Sequence, residues 1–242
     1  MSQQEQATYD YGSIDSGYYD HVFHRSAGIQ SKWHHAKFKH VRAHMPANYT
    51  RHLDIGCGPG TFIGTLGADA RSIGVDLADA QIQYALREYG TDTHDFQCMP
   101  AGNFHFDDEA FDVVTIIEVI EHLKTDVIES LLLEAHRILS PGGKILITTP
   151  NYGSLWPLLE KIVNARSEVS YEDQHITFFK RKRLLDLLKR SGFMQSSATT
   201  FQGSAPFFAA LSWKLADVFQ QVENPLLSGG MGFLLLGEGF KA

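Results

Sequence analysis

"LDIGCGPG", residues 53–60, decides the fold. An apolar run with an acid in it ("RHLDIG", 51–56) reads as a strand, and three glycines alternate after it at Gly56, Gly58 and Gly60. A helix is expected from about Thr61. Glycine lets a backbone turn sharply and approach a ligand closely. A strand, a glycine turn and a helix in that order are the first half of a nucleotide-type βαβ unit. The second half follows. "RSIGVDL" (71–77) reads as the next strand and ends at Asp76, twenty residues after Gly56. A carboxylate there can accept both ribose hydroxyls of an adenosine.

The same alternation continues outward. Strands are expected at 95–100, 111–117 and 144–150, with "FDVVTII" (111–117) nearly all apolar, as in a strand buried on both faces. Helices are expected over "DAQIQYALREYG" and "DVIESLLLEAHRILS", the latter stopped by "PGG". The pattern predicts an α/β fold with a mostly parallel, Rossmann-like sheet and helices on both faces. The last third carries the amphipathic helix "KRKRLLDLLKRSGF" and two further strand candidates, "MQSSATTFQ" and "GFLLLGEGF". Between those strands, "PFFAALSWKLADVFQQVEN" is expected as one amphipathic helix.

Composition narrows the class. The chain has 242 residues, a formal net charge of −7 and two cysteines, Cys57 and Cys98. That suits one domain and gives no general attraction to nucleic acid. Nothing in the cysteine contexts suggests a disulfide framework. No apolar run approaches a membrane span, and the polar N-terminus lacks a signal-peptide core, so a cytoplasmic protein is expected.

Charge selects the cofactor. A dinucleotide brings a pyrophosphate, which favours positive potential. Here Asp54, Asp76 and Glu118 all fall near strand ends on one edge of the sheet, and no Lys or Arg lies between Arg51 and Arg71. An acidic pocket of this kind suits S-adenosylmethionine (SAM), which carries a sulfonium and an ammonium.

"LDIGCGPGTF", "GVDLADA", "FDDEAFDVV" and "LSPGGKILITTP" together resemble the motifs of class I SAM-dependent methyltransferases, in that family's order, over roughly residues 50–195. The resemblance implies a seven-stranded sheet whose last strand is antiparallel. It implies that Asp54 and the Gly56–Cys57–Gly58–Gly60 loop hold the methionyl end, that Asp76 and Leu77 meet the ribose side, and that Glu118 lies beside the cofactor. Pro100 stands where many members place an acid for the adenine amino group. The adenine is then expected against backbone at Met99, Pro100, Ala101 and Gly102, with Met99 packing on the ring.

"EVIEHL" (118–123) and the later "EDQHITFF" place His122 and His175 after the fourth and fifth strands, near the methyl end. Methyl transfer mainly requires alignment of the nucleophile, and an oxygen nucleophile must also lose a proton, which a histidine can take. "EVIEHL" with "TPN" and a later histidine resembles quinone-pathway O-methyltransferases. It also resembles small-RNA 2′-O-methyltransferases, which hold a divalent metal with two Glu and two His. If a helix begins near Glu118, then Glu118, Glu121 and His122 share one face, with His175 as a fourth ligand. The preferred reading has no metal: Glu118 faces the cofactor, His122 serves as base or orienter for the acceptor, and Glu121 points back to a helix N-terminus. The divalent ion is the permitted alternative.

The chain is expected as a single methyltransferase domain over 1–242. Residues 1–45 form a helical cover (Tyr18, Tyr19, Trp33, His34), and 151–179 and 203–228 are substrate-side insertions. The insertion beginning "TPNYGSLWPLLEK" is apolar and aromatic, which points to an apolar or lipid-linked small-molecule acceptor. "KRKR" (180–183) reads as a solvated helix face and Trp213 with its apolar neighbours as core packing, with a membrane-surface helix or a substrate lid as the other reading. A non-catalytic SAM-binding subunit is the second class of function, and a nicotinamide dehydrogenase is disfavoured by the charge argument.

Overall fold

The computed structural model describes residues 15–164 and 175–242. Seven strands form one sheet: β1 (Arg51–Ile55), β2 (Arg71–Asp76), β3 (His94–Cys98), β4 (Phe111–Ile117), β5 (Leu139–Pro150), β6 (Met194–Phe201) and β7 (Leu234–Phe240). Their order is β3-β2-β1-β4-β5-β7-β6. Strands β1 to β5 pair in parallel, and β7 runs antiparallel to both β5 and β6. This is the mostly parallel sheet that the pattern predicts, with the seven strands and antiparallel last strand that the resemblance implies.

The helices are α1 (Tyr18–His24), α2 (Gly28–His44), α3 (Thr61–Gly64), α4 (Asp79–Tyr89), α5 (Thr125–Ile138), α6 (Trp156–Asn164), α7 (Arg181–Arg190) and α8 (Trp213–Leu227). The central strands supply the core: Leu53, Ile55, Val114, Ile116, Ile145 and Ile147 are all essentially solvent-free. Each such side chain contributes about 1.5–3 kcal/mol of burial. The sheet reverses strand order between β1 and β4, and at such a switch point the strand ends open a crevice.

Three local expectations are corrected. Strand β5 starts at Leu139, not at Lys144, and "PGG" lies within it. The first pair, Phe111 with Leu139, is followed by a register shift. Gly142 at φ 75° donates to the Lys241 carbonyl, so the glycine pair kinks a strand and does not cap a helix. "PFFAALSWKLADVFQQVEN" is not one helix. A 3-10 turn (Ala205–Ala210) ends at Leu211, and Ser212 caps a new helix by accepting from the Leu215 N–H. No helix begins at Glu118 either. That residue sits in the left-handed region at φ 57°, and a short 3-10 turn (Ile120–His122) follows.

The expected cover of residues 1–45 and the insertion 151–179 fall partly outside the described residues, at 1–14 and 165–174. Within the described part, α1 and α2 pack beside the glycine loop. Buried Asp20 on α1 accepts from Thr61, Tyr84 and Tyr89 and so ties α1 to α3 and α4.

Candidate functional site

A cavity of about 880 Å³ lies over the C-terminal ends of β1, β2, β4 and β5. Its floor begins at the glycine loop. Gly56 has φ 73°, and a Cβ there would sit 2.4 Å from the Val119 side chain. Gly60 has φ 78°, and its Cβ would meet Phe96 at 2.7 Å and Ala85 at 2.9 Å. The two glycines therefore act differently. Gly56, Cys57 and Gly58 line the cavity, whereas Gly60 lets the turn close onto α4 and β3 and is absent from the lining.

Asp76 ends β2 facing this loop. Its Oδ2 accepts from the Gly58 N–H and its Oδ1 from the Ala78 N–H, both at 2.9 Å. A carboxylate has about four acceptor positions, so each oxygen keeps one for a ligand hydroxyl. Burial raises the Asp76 pKa against these backbone bonds. Leu77, Met99 and Ala101 continue the wall; Pro100 is not in it.

Asp54 lies deeper, 2% exposed. Its Oδ1 accepts from Thr115 Oγ1 at 2.5 Å. Thr115 Oγ1 lies 2.8 Å from His52 Nε2, and His52 Nδ1 lies 3.2 Å from Ser72 Oγ. Since the threonine proton goes to Asp54, its oxygen accepts from an Nε2–H, and the other ring nitrogen accepts from Ser72. Burial keeps His52 neutral, with a pKa lowered to about 3. Burial also pushes the Asp54 carboxyl up to about 7.

Glu118 follows β4 in its strained conformation, a state that costs on the order of 1–3 kcal/mol unless the surroundings hold it. Here the Glu118 N–H donates to the Thr148 carbonyl, Thr148 Oγ1 donates to the carboxylate, and Lys37 Nζ lies 3.7 Å away. Lys37 comes from α2, is 5% exposed and lines the cavity. The pocket is thus acidic with one internal lysine.

At the other end, Glu121, His122 and His175 each offer a ligand atom within 4.8 Å of the others. The His122 and His175 ring centroids are 5.0 Å apart. Glu121 is 1% exposed, and its Oε2 accepts from Thr149. Its Oε1 accepts no hydrogen bond among the described residues and lies 4.0 Å from His122 Nε2. Burial first, and the Glu118 charge second, raise the Glu121 pKa well above the carboxylate range. His175 Nδ1 lies 2.6 Å from Glu160 Oε1 and 2.7 Å from the Tyr152 hydroxyl, which itself donates to Glu160. Burial pulls the His175 pKa down, but the Glu160 bond and the charges of Glu121, Glu160 and Glu118 carry it above the ordinary value.

The helix on which the shared face of the metal alternative depended is not there, and Glu118 falls outside the three-residue cluster of Glu121, His122 and His175. Glu121 does not reach a helix N-terminus; it bonds across to β5. Tyr19, Trp33 and His34 line the cavity, and Tyr18 packs on Tyr19 behind it. Sequence reasoning missed Lys37, Thr115, His52, Glu160 and Tyr152. Only Lys37 carried a signal: it lies three and four residues after His34 and Trp33, hence on their helix face.

A family model described as a methyltransferase domain matches residues 22–195. A ubiquinone biosynthesis O-methyltransferase of Agrobacterium fabrum is 29% identical over 119 residues, 47% of this chain and 46% of that protein. A tRNA N(3)-cytidine methyltransferase of Gallus gallus is 26% identical over 162 residues, 60% of this chain and 43% of that one. The chain thus spans about half the length of these curated relatives. Among solved structures, a SAM-dependent methyltransferase of Thermotoga maritima superposes with a TM-score of 0.69 at 21% identity, over 93% of this chain and 94% of the other. With the family model matched over well more than half its length and the seven-stranded fold in place, the chain belongs to the class I SAM-dependent methyltransferases.

Proposed function

We propose that the cavity holds SAM along the β1–β2–β4 edge and a small-molecule oxygen nucleophile beneath the cover, at Glu121, His122 and His175. The observation that carries this reading is a single cavity joining the Asp76–glycine-loop end to the two histidines. SAM supplies an electrophilic methyl group on a cationic sulfur. The donor set suits it. Asp54 is a buried and Asp76 a half-buried carboxylate, both suited to cationic or hydroxyl partners, and Gly56 and Gly58 themselves place no side chain on the ligand side. In this reading Asp76 takes the ribose hydroxyls and Leu77 flanks them. Met99, Pro100 and Ala101 form the adenine segment, with Met99 and Ala101 on the cavity side. Asp54, Cys57 and Glu118 surround the methionyl end, and Gly60 acts through packing.

Tyr19, Ile29, Trp33, Phe38, Trp156 and Phe207 close the outer wall. That apolar wall supports an apolar or lipid-linked acceptor and excludes water from the reacting atoms. His175 is oriented at Nδ1 by Glu160 and Tyr152, so its Nε2 is the nitrogen left for an acceptor proton. His122 faces it and orients the same hydroxyl. The net charge of −7 weighs against an RNA acceptor of the kind named for the Gallus gallus relative.

Asp76→Ala tests the cofactor half: it should weaken SAM binding by roughly 1.5–3 kcal/mol, the worth of a charge-assisted hydrogen bond. Calorimetry that returns the wild-type affinity removes Asp76 from the site. Labelled SAM offered with a lipid extract, a polar metabolite extract and total RNA tests the acceptor half. Label in the RNA fraction alone would reverse it, and tight SAM binding with no label anywhere would favour a non-catalytic subunit.

A second reading has its own observation. Glu121 Oε1, which accepts no hydrogen bond among the described residues, forms with the two imidazoles a ligand set of nitrogen and oxygen donors, suited to Zn²⁺, Mn²⁺ or Fe²⁺. Turnover that vanishes after exhaustive chelation and returns with one such ion would make these three residues ligands.

A further inference from the structure

Helix α8 is amphipathic in the wrong direction for a core helix. Leu215, Val218, Phe219, Val222 and Leu226 recur at three- and four-residue intervals, which is one face of a helix. Their exposures are 38%, 58%, 40%, 61% and 77%. The helix packs inward through Ala216 and Gln220 instead. Leu211, 81% exposed, and Met231, 73% exposed, lie just beyond its two ends. The expectation of core packing around Trp213 is therefore overturned for its neighbours, whose apolar surface is outside.

The carboxylates and the cations around this stripe differ in their partners. Both carboxylates of the helix are engaged: Asp217 pairs with Lys32 at 2.5 Å, and Glu223 accepts from the backbone N–H groups of Gly203, Ser204 and Ala205. At the C-terminal end, Arg181 donates to the Gly229 carbonyl, which brings the exposed run Lys180–Arg183 beside it. None of these four cations has a carboxylate partner among the described residues. Lys214 is exposed at the N-terminal end, and Lys39 lines a small cavity with Trp213. The stripe also connects inward. Phe219 stacks on Phe208 at 4.1 Å, and the adjacent Phe207 lines the large cavity.

We propose that α8 and the 180–183 run form a docking surface for an anionic lipid bilayer. An apolar stripe free of charge, with its helix's carboxylates engaged and exposed cations at both ends, suits a headgroup–acyl boundary. A second copy of the chain fits worse. A two-fold contact with α8 antiparallel would set the cations at one end of the stripe against those at the other. Docking would place the aromatic 3-10 turn that reaches the cavity next to the membrane. The inference does not depend on the identity of the acceptor.

Flotation of the full chain with vesicles tests it. The protein should float with equimolar phosphatidylglycerol and phosphatidylcholine at low ionic strength, and far less with phosphatidylcholine alone. The pair Val222→Gln and Leu226→Gln, on exposed positions, should lower partitioning tenfold or more with an unchanged circular dichroism spectrum. The pair Lys180→Gln and Lys182→Gln should lower it by about fivefold per cation. Equal partitioning to neutral and anionic vesicles, or stripe variants that float like wild type, would overturn the proposal. So would a concentration-dependent dimer in light scattering that the stripe substitutions abolish, which would assign the face to a second copy.

Discussion

The two edges of the sheet carry the same residue types in opposite conditions. At the lower edge, Asp112 near the start of β4 accepts from the Thr50 N–H and hydroxyl, the Arg51 N–H and guanidinium, and Ser140. Burial raises its pKa, but the Arg51 and Thr50 bonds outweigh this and hold it at about 2. At the upper edge, Asp54 and Glu121 are buried and Asp76 half-buried; all three have fewer donors and are shifted upward, by burial first. Strands β1 and β4 run from one environment to the other within a few residues. A carboxylate surrounded by donors stabilises the fold; one buried without them stores a cost that a cationic or hydroxyl-bearing ligand relieves. The difference separates scaffold from site without reference to any other protein.

The largest effect expected from that contrast is at the acceptor end of the upper edge. His175→Ala should reduce kcat by about 10²–10⁴-fold, the usual worth of a positioned acid or base. SAM affinity should stay near wild type, and the loss of stability should be limited to about 1–3 kcal/mol, the cost of leaving buried Glu160 without its histidine partner. Glu160→Gln removes the negative charge beside Nδ1 while leaving an amide oxygen to accept, and should lose part of the same factor, with Glu160→Asp recovering some of it. Loss of thermal stability in place of kcat would put these residues with the scaffold and break the contrast. Steady-state kinetics on any acceptor found in the extract screen would decide.

A smaller effect is expected at the lower edge, in stability alone. Asp112→Ala removes five hydrogen bonds from a partly exposed carboxylate and leaves the Thr50 and Arg51 donors facing water. A loss on the order of 1–3 kcal/mol is expected, with SAM binding unchanged. The wild-type carboxylate has a depressed folded pKa, so its contribution is present above about pH 4 and disappears as pH falls through about 2. Acid titration of the thermal midpoint should therefore be shallower in the variant. Impaired SAM binding in that protein would mean that the two edges are coupled.

How much of this was legible in the sequence follows the range of the interactions. The sheet, the glycine loop, Asp76 and the β4 acids rest on local patterns: apolar runs, glycine spacing and strand-end acids. All of these were readable. The kink at Gly142, the split before Ser212 and the left-handed Glu118 were not, because each is set by what the segment packs against. "PGG" after a helix looks like a stop signal until the Lys241 backbone holds it in a strand. The partners of the site residues were least legible. Glu160 meets His175 and Thr115 meets Asp54 only through the tertiary fold, and nothing in their own neighbourhoods marks them. The inverted amphipathicity of α8 belongs here too: the period was visible, but not which face turned inward.

The smallest effect tests the contrast at its sharpest point, a single buried carboxyl. Asp54 is held near a pKa of about 7 by burial, against the Thr115 bond. In the ligand-free chain it is therefore protonated below about pH 7, whereas an unfolded-chain aspartate ionises near pH 4. A raised acid favours the folded state at low pH. That advantage is complete below about pH 4 and is lost as pH rises through about 7. A cationic ligand reverses the preference, because it favours the carboxylate. Binding of SAM should then release a proton below about pH 7, and affinity should rise by up to about tenfold per pH unit toward that point and level off above it. Asp54→Asn should flatten the profile while keeping the Thr115 hydroxyl bonded. Calorimetry in two buffers of different ionisation enthalpy reads the proton directly. A wild-type profile that is flat from about pH 5.5 to about 7, the window that the shift defines, would mean that Asp54 is already ionised and that the upper edge is less starved of partners than its burial implies.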